Sequence, residues 1–502
     1  MSTLVEDVLR LILEELKYDR ISLHSCILVN KTWCKMTVPI LWKNPGQNLL
    51  TDNSKNLLFN IIILHLSNES RNFLKKQEID LFKDILESYK HPLLFNYISY
   101  WRYLNIHLLK SMIISIKNIK NFDKTEIPII RNEIFNLFIN NNRNTKFLRL
   151  CFPQQFDYQL HRISGAEHCF SKLESFRCYA NTNKYILEGL AGISKSIKKL
   201  IFDIMYSINS GIIKLIEAQN NLKEVHFIDH TINLRDESFS RPLEESLIKH
   251  ANTIQYLRID WKPNTEILSY LVNLISLDIN LSLVRDINWN HLEKLSLPLL
   301  KFLRTQKVPS RILSNIIENT KGYLTEISIL YEGINDKKLI PTIYNNCPNL
   351  KYLKLSLSVR NIIEFENLLN NCQLLNGLVI DIYDHIIKFD WDKLFKILSK
   401  SSPISLIKFK FSSNRIISLE TLKLFFDNWK NRNPMFLHII PMYCFARAEQ
   451  RKQKQQELQK LENLIKEYKV KEIIKRYYVD SHGSTFEDFE WIQRRSDAYI
   501  EF

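Results

Sequence analysis

A six-residue unit recurs through the middle of the chain and restricts the folds that the chain can adopt. Each unit carries apolar residues at its first, fourth and sixth positions. The units begin at Leu173, Ile197, Leu222, Ile254, Leu274, Leu292, Leu324, Leu350, Leu375 and Leu406. Their mean period is about 26 residues, which is typical of arrays in which one supersecondary unit stacks on the next. The sequence therefore predicts a repeat array in this region.

The last two apolar residues of each unit lie two positions apart, so they face the same side of a β-strand. Segments between the units have apolar residues at helical spacing, for example 312–317, 339–344 and 362–369. The unit Leu-x-x-Leu-x-Leu resembles a leucine-rich repeat. This resemblance implies an α/β solenoid of parallel strands and helices. Steps between units vary from about 18 to about 32 residues, so we expect an irregular array.

The first 42 residues have a second pattern, which predicts short amphipathic helices. Leu4-x-Glu6-Asp7-x-Leu9 is followed by Ile12-Leu13, Leu16, Leu23, Val29 and Trp33. This order resembles an F-box, although Val5 stands where that family usually has proline. Together with the repeats, the pattern is similar to fungal-type F-box proteins with irregular leucine-rich repeats. The resemblance implies that the helices bind the Skp1 adaptor of a cullin–RING ubiquitin ligase. The residues implied in that contact are Leu4, Leu9, Ile12, Leu13, Leu16, Leu23, Val29 and Trp33.

Four segments follow from these patterns. We expect an F-box-like helical module over residues 1–44 and a helical linker region over 45–144. The leucine-rich-repeat-like solenoid then occupies 145–444, and a charged C-terminal helix and tail occupy 445–502. Residues 446–476 are rich in Gln, Lys and Glu, which favours a solvated helix that partly covers the end of the array.

Composition and motifs argue against catalysis by this chain. It has 9 Gly, and no phosphate-binding loop, dinucleotide fingerprint or hydrolase motif is present. The 8 Cys are scattered without a Cys-x-x-Cys pair, and no spacing matches a zinc site. We therefore expect a non-catalytic adaptor without metal or cofactor. Its apolar runs are too short to span a bilayer and no signal peptide is evident, so we expect an intracellular protein, cytoplasmic or nuclear.

Binding is the better candidate activity. In each repeat the residue between the last two apolar positions points away from the core, onto what we call the outer strand face, expected to be the concave side of the array. Basic and aromatic residues on this face predict capture of an acidic or phosphorylated client. The candidate client-binding residues are Arg149, Arg177, Arg258, Tyr256, Tyr352, Lys354 and Lys410.

Other interpretations remain open from the sequence. The outer strand face can be an ordinary solvated face that follows the net charge of +15. That charge also allows a nucleic-acid-binding solenoid, the less favoured class of partner, which strongly salt-dependent binding would reveal. A further alternative is an F-box-like protein that binds Skp1 outside a ligase.

Overall fold

The computed structural model describes residues 2–46, 50–79, 81, 92–120, 125–140, 145–205, 208–230, 239–281, 289–330, 337–382, 389–413, 417–441 and 448–479. These residues fall into two compact units, one ending before residue 232 and one beginning there. Both units are α/β structures in which parallel strands alternate with helices. The parallel repeat arrangement predicted from the sequence is therefore present in each unit.

The first unit begins with three short helices, α1 (Ser2–Glu15), α2 (Arg20–Ile27) and α3 (Lys31–Leu41). Polar side chains start the second and third helices. Asp19 accepts a hydrogen bond from the Ser22 backbone N–H at 3.1 Å, and Asn30 accepts from those of Thr32 and Trp33. Such caps satisfy N–H groups that have no partner inside the helix. We refer to α1–α3 as the N-terminal module.

The described residues in the rest of the first unit form five parallel strands whose order follows the chain. They are β1 (Tyr103–Asn105), β2 (Arg149–Cys151), β3 (Ser175–Tyr179), β4 (Lys199–Ile204) and β5 (Glu224–Asp229). Its further helices are Asp52–Leu64, Asn68–Lys76, Ile106–Lys120, Glu126–Ile139, Ala166–Phe170, Lys184–Ile193 and Ser210–Glu217. Short 3-10 turns lie at Leu16–Tyr18, Tyr97–Tyr100 and Leu160–Arg162.

The second unit repeats the same alternation of strand and helix. Its strands are β6 (Tyr256–Ile259), β7 (Ser276–Asn280), β8 (Phe302–Gln306), β9 (Glu326–Leu330), β10 (Tyr352–Ser356), β11 (Gly377–Ile382), β12 (Lys408–Ser413), β13 (Met435–Pro441) and β14 (Ile474–Val479). Its helices are Ser240–Ile248, Ile267–Tyr270, Ser310–Glu318, Leu339–Asn346, Ile362–Asn371, Trp391–Ser401, Leu419–Asn428 and Ala448–Val470. 3-10 turns lie at Asn290–Leu292 and Val359–Asn361.

The apolar positions of the repeats form the core of both units. In β3, Phe176 and Cys178 are fully buried, and Leu353 and Leu355 occupy the same places in β10. Because these residues lie two apart, one side of each strand supplies the core and the other side forms the outer strand face. Nine of the ten predicted repeat units coincide with strands of the structure.

The one predicted unit that does not coincide with a strand is the sixth, which begins at Leu292. Residues Asn290–Leu292 form a 3-10 turn, and the strand β8 begins only at Phe302. The prediction failed because two leucine patterns follow each other closely here, and the first runs directly into Pro298. Proline has no N–H with which to join the strand ladder. The second pattern, which contains Leu300 and Leu303, forms the strand.

Five of the described strands lie outside the ten predicted units. The strands β1 and β2 precede the first unit and pair with each other, β8 lies just after the failed unit at Leu292, and β13 and β14 follow the last unit. The predicted C-terminal helix is present as Ala448–Val470, with Leu461, Ile465 and Tyr468 buried. The part of the predicted C-terminal tail that follows residue 479 lies outside the described residues. Among the helices that the structure describes, none has the length and apolarity required to cross a bilayer.

Candidate functional site

The N-terminal module has a small core of its own. Leu9 and Leu13 of α1 pack with Leu23 and Cys26 of α2 and with Leu41 of α3. Leu13 and Leu23 are almost completely inaccessible to solvent. These side chains hold the three helices together because burying a leucine contributes roughly 2 kcal/mol. They consequently belong to the interior of the module and not to its surface.

A different set of apolar side chains covers the outside of the module. Seven large hydrophobic side chains among residues 8–29 are exposed, from 45% to 86% of their area. They are Val8, Leu11, Ile12, Tyr18, Ile21, Leu28 and Val29. Val8, Leu11 and Ile12 have the three- and four-residue spacing of a single face of α1. A contiguous exposed apolar face, such as the one that Val8, Leu11 and Ile12 form on α1, is characteristic of a site that binds another protein. We call these seven residues the apolar surface.

The eight residues implied in Skp1 binding separate into groups in the structure. Leu9, Leu13 and Leu23 lie in the module core, while Ile12 and Val29 belong to the apolar surface. Leu16 and Trp33 are half-buried and pack against the core. Leu4 lies in α1, but its side chain is outside the described part of the structure. Sequence reasoning missed Leu11, Ile21 and Leu28 because the hydrophobic stripe that it followed is the one that faces inward.

The outer strand face carries buried ion pairs. In the first unit, Arg177 of β3 donates two hydrogen bonds to the carboxylate of Asp203 in β4, at 2.7 and 2.9 Å. The side chains of both residues are less than a tenth exposed. The ring of His230 lies 2.9 Å from the same carboxylate. Arg177 is therefore engaged within the sheet.

A similar pair occurs in the second unit. Lys354 of β10 lies 3.2 Å from the carboxylate of Asp381 in β11. Arg258 of β6 contacts Asp260, which directly follows that strand, at 3.1 Å and Asp278 of β7 at 4.0 Å. The ion pairs of Arg177 and Lys354 have the same geometry. In each, the acidic residue lies on the next strand, two positions after the residue that stands opposite the basic one in the sheet register. The predicted basic character of this face is thus partly neutralised by its own carboxylates.

Four client-binding candidates remain. Arg149, Tyr256 and Tyr352 are each the first residue of a strand, and Lys410 is buried within β12. The guanidinium of Arg149 stacks 4.5 Å from the ring of Tyr103. Lys408 lies 5.7 Å from the ring of Tyr352. Tyr256 is half-buried, as is Tyr352, whereas Lys410 is buried. The more accessible residues of the outer strand face are therefore those at the strand starts.

The register of Arg149 differs from the expected one. We predicted that Arg149 occupies the same position in its repeat as Arg177, but Arg149 pairs with Ser175 and Cys151 pairs with Arg177. Phe147, which the predicted register would place on the outer strand face, is fully buried. The apolar pattern continues through Phe152, so the repeat begins two residues later than a repeat in which Leu148 and Leu150, on either side of Arg149, are the last two apolar positions.

Charge pairing changes the ionisation of two carboxyl groups on this face. Burial alone would raise the pKa of Asp203, but hydrogen bonds from His230 and Arg177 outweigh it and lower that pKa. Burial likewise opposes ionisation of Glu224, yet His226 at 2.9 Å and Lys199 at 3.2 Å lower its pKa to about 2. Both groups are therefore carboxylates at neutral pH.

Metal ligands and cysteine thiols are two kinds of chemical group to consider among the described residues. No group of three His, Cys, Asp or Glu side chains within them is placed to hold a metal ion. The cysteines that the structure describes are free thiols. Burial raises the pKa of Cys151 to about 12 and that of Cys178 well above its ordinary value. Such thiols stay protonated at neutral pH, and a protonated thiol is a poor nucleophile.

Comparisons with known proteins leave the family open. No protein-family model matches the chain, and no curated protein matches it. Among solved structures, it is similar to a crystal structure of a protein from Bacteroides fragilis at 12% identity. That match covers 58% of this chain and 67% of the other, with a TM-score of 0.28.

Proposed function

We propose that this protein is a non-enzymatic substrate receptor of a Skp1–cullin–F-box ubiquitin ligase. The N-terminal module binds a Skp1-like adaptor, and the repeats hold a client protein near the ubiquitin-loading partners. Catalysis is then supplied by those partners, and the receptor acts by raising the effective concentration of client lysines. The observation that carries the proposal is the apolar surface, because the module exposes seven large hydrophobic side chains although its own core is complete.

Co-purification with a Skp1-like adaptor tests the proposal. We expect the wild-type protein to retain the adaptor and the double variant Leu11→Asp with Leu28→Asp to lose it. Each aspartate would be desolvated in the interface at a cost of several kcal/mol, so affinity should fall at least about a hundredfold. Changing Leu13 would be a poor test because Leu13 lies in the module core, and its loss would unfold the module.

A matched control separates the interface from general damage. Ile404 and Val470 are 83% and 85% exposed, close to the 86% of Leu28, and lie in the second unit. The double variant Ile404→Asp with Val470→Asp should therefore bind the adaptor like wild type. Failure of the wild-type protein to bind, or equal binding by both double variants, would contradict the proposal. Cullin in the purified complex distinguishes a ligase receptor from an adaptor partner outside a ligase.

Client capture is assigned to the accessible strand starts of the outer strand face. Tyr352 and Lys408 form one half-exposed aromatic and basic pair there, and Arg149 with Tyr103 forms another. Such pairs suit an acidic or phosphorylated segment, because the cation binds the anion and the ring supplies apolar contact. These residues replace Arg177 and Arg258 as the positions to change first, since the latter are buried in ion pairs.

A further inference from the structure

A cleft of about 300 Å³ lies in the first unit, away from the apolar surface and the outer strand face. It is bounded by the helices Ile106–Lys120 and Glu126–Ile139 and by the segment that follows β2. This volume is at the lower end of the range for small-molecule sites, which is about 300–1,000 Å³.

The wall of the cleft is mainly apolar, and the two helices explain why. Ile106, Ile113 and Ile114 follow the spacing of one helix face, and Phe135 lies on the corresponding face of the second helix. Phe156 closes the third side and is buried, as are Ile106, Ile113 and Phe135. An apolar chain in this space would gain free energy because the chain itself is removed from water against an apolar wall.

Two basic residues stand on the same helix faces as the apolar lining. Lys110 lies four residues after Ile106, and Arg131 lies four residues before Phe135. The Arg131 guanidinium is 5.2 Å from the ring of Tyr158. No carboxylate of the described residues lies within ion-pair distance of either Lys110 or Arg131. Asp157 also lines the cleft, but it is exposed to solvent.

Arg131 also has an unmet hydrogen bond. Its Nε atom is buried and has no acceptor among the residues that the structure describes. A buried donor without an acceptor is costly and uncommon in folded proteins. A carboxylate is the natural partner, because its two oxygens match two N–H groups of the guanidinium. The cleft thus pairs an apolar wall with a cation that has no anionic partner among the described residues.

We propose that this cleft binds a small amphipathic carboxylate of medium chain length. The chain of the ligand packs between Ile106, Ile113 and Phe135, and its carboxylate pairs with Arg131 and is attracted by Lys110. An apolar ligand without charge would leave the Arg131 donor unsatisfied, and a small polar anion would leave the apolar wall in water. The site is independent of adaptor binding, so neither result decides the other.

Calorimetric titration of the full-length protein with decanoate, below its micellar concentration, tests the proposal. We expect saturable binding of one decanoate per chain and binding of decanol that is about tenfold weaker or worse. The variant Arg131→Gln should reduce decanoate affinity by about tenfold or more and leave decanol binding unchanged. The variant Lys172→Gln, an exposed lysine of the same unit, should behave like wild type.

A second variant keeps the test decisive if Arg131→Gln alters folding. Ile114 is 46% exposed, so Ile114→Trp should fill the cleft without disturbing the core and should abolish binding of both probes. Absence of saturable decanoate binding to the wild-type protein would overturn the proposal. Equal affinity for decanoate and decanol, or unchanged decanoate binding by both variants, would overturn it as well.

Discussion

At the scale of single residues, the buried charges of the outer strand face decide how the sheet responds to mutation. Arg177 is buried and depends on Asp203 for its counter-charge. Removing one partner of a buried ion pair leaves an uncompensated charge, whereas removing an exposed partner changes little. The same strand face can therefore contain both sensitive and tolerant acidic positions.

The variant Asp203→Asn should lower the free energy of unfolding by about 3–5 kcal/mol at pH 7. Because the folded-state pKa of Asp203 is lowered from 3.8, its stabilisation is fully present above that value. It is lost as the pH falls through the folded-state pKa. Urea unfolding of both proteins at pH 7 and at pH 3 should show the difference shrinking with acidification.

Glu174 provides the control for this prediction. It pairs with Lys198 at 2.8 Å, but both side chains are about half exposed. The variant Glu174→Gln should change the free energy of unfolding by less than about 1 kcal/mol. If Asp203→Asn were as mild as Glu174→Gln at pH 7, the pair with Arg177 would not stabilise the sheet.

Residue-scale contacts also explain which part of the candidate site the sequence could predict. The spacing of Leu9, Leu13 and Leu23 identified a helical module correctly, because amphipathic spacing reports the buried face. It did not identify Leu11 or Leu28, since isolated exposed leucines are ordinary in sequence and become informative only when burial is measured. Nor does charge pattern show that Arg177 is already paired with Asp203, 26 residues away.

At the scale of elements, a buried side chain that the repeat pattern does not reveal joins one helix to a later loop. Glu244 in the helix Ser240–Ile248 is fully buried. Its carboxylate accepts hydrogen bonds from the Trp261 indole N–H at 2.9 Å and from the backbone N–H groups of Asn264 and Thr265. One carboxylate thus ties this helix to the loop after β6.

The variant Glu244→Gln should lower the free energy of unfolding by about 3 kcal/mol. Glutamine places an amide N–H where a carboxylate oxygen accepts from N–H groups, so at least one buried donor loses its acceptor. The neighbouring variant Glu245→Gln affects only an exposed pair with Arg241 and should cost less than about 1 kcal/mol. Equal effects in thermal or urea unfolding would show that the Glu244 contacts are not stabilising.

Element boundaries were predictable where one leucine pattern stood alone. The strands β9, β10 and β11 coincide with their predicted units, because inward residues at two-residue spacing belong to a strand. The unit at Leu292 failed because it runs into Pro298 and a second leucine pattern follows it, and β13 was missed because Pro434 stands where the other units have their first apolar residue. Such segments become strands because they pair with neighbouring strands, and the sequence of a single segment does not reveal that pairing.

At the scale of the whole molecule, a stacked repeat array must protect the apolar side of its last repeat. In the second unit, the helix Ala448–Val470 follows β13 and packs on the helix Leu419–Asn428 through Tyr468. Tyr468 is completely buried, its ring lies 5.0 Å from that of Phe426, and its hydroxyl donates to Asp427 at 2.9 Å. The charged helix therefore acts as a cap, which repeat proteins require for solubility.

Two substitutions of Tyr468 separate the apolar and polar parts of this cap. The variant Tyr468→Ala removes a buried ring and should lower the free energy of unfolding by about 3–5 kcal/mol. It should also increase binding of a hydrophobic dye, because the side chain of Phe426 loses its cover. The variant Tyr468→Phe keeps the ring and removes only the hydrogen bond to Asp427, so it should cost about 1 kcal/mol. Urea unfolding and dye fluorescence measure both effects. If Tyr468→Ala were no more destabilising than Tyr468→Phe, packing of the terminal helix would contribute nothing, and the array would be stable without its cap.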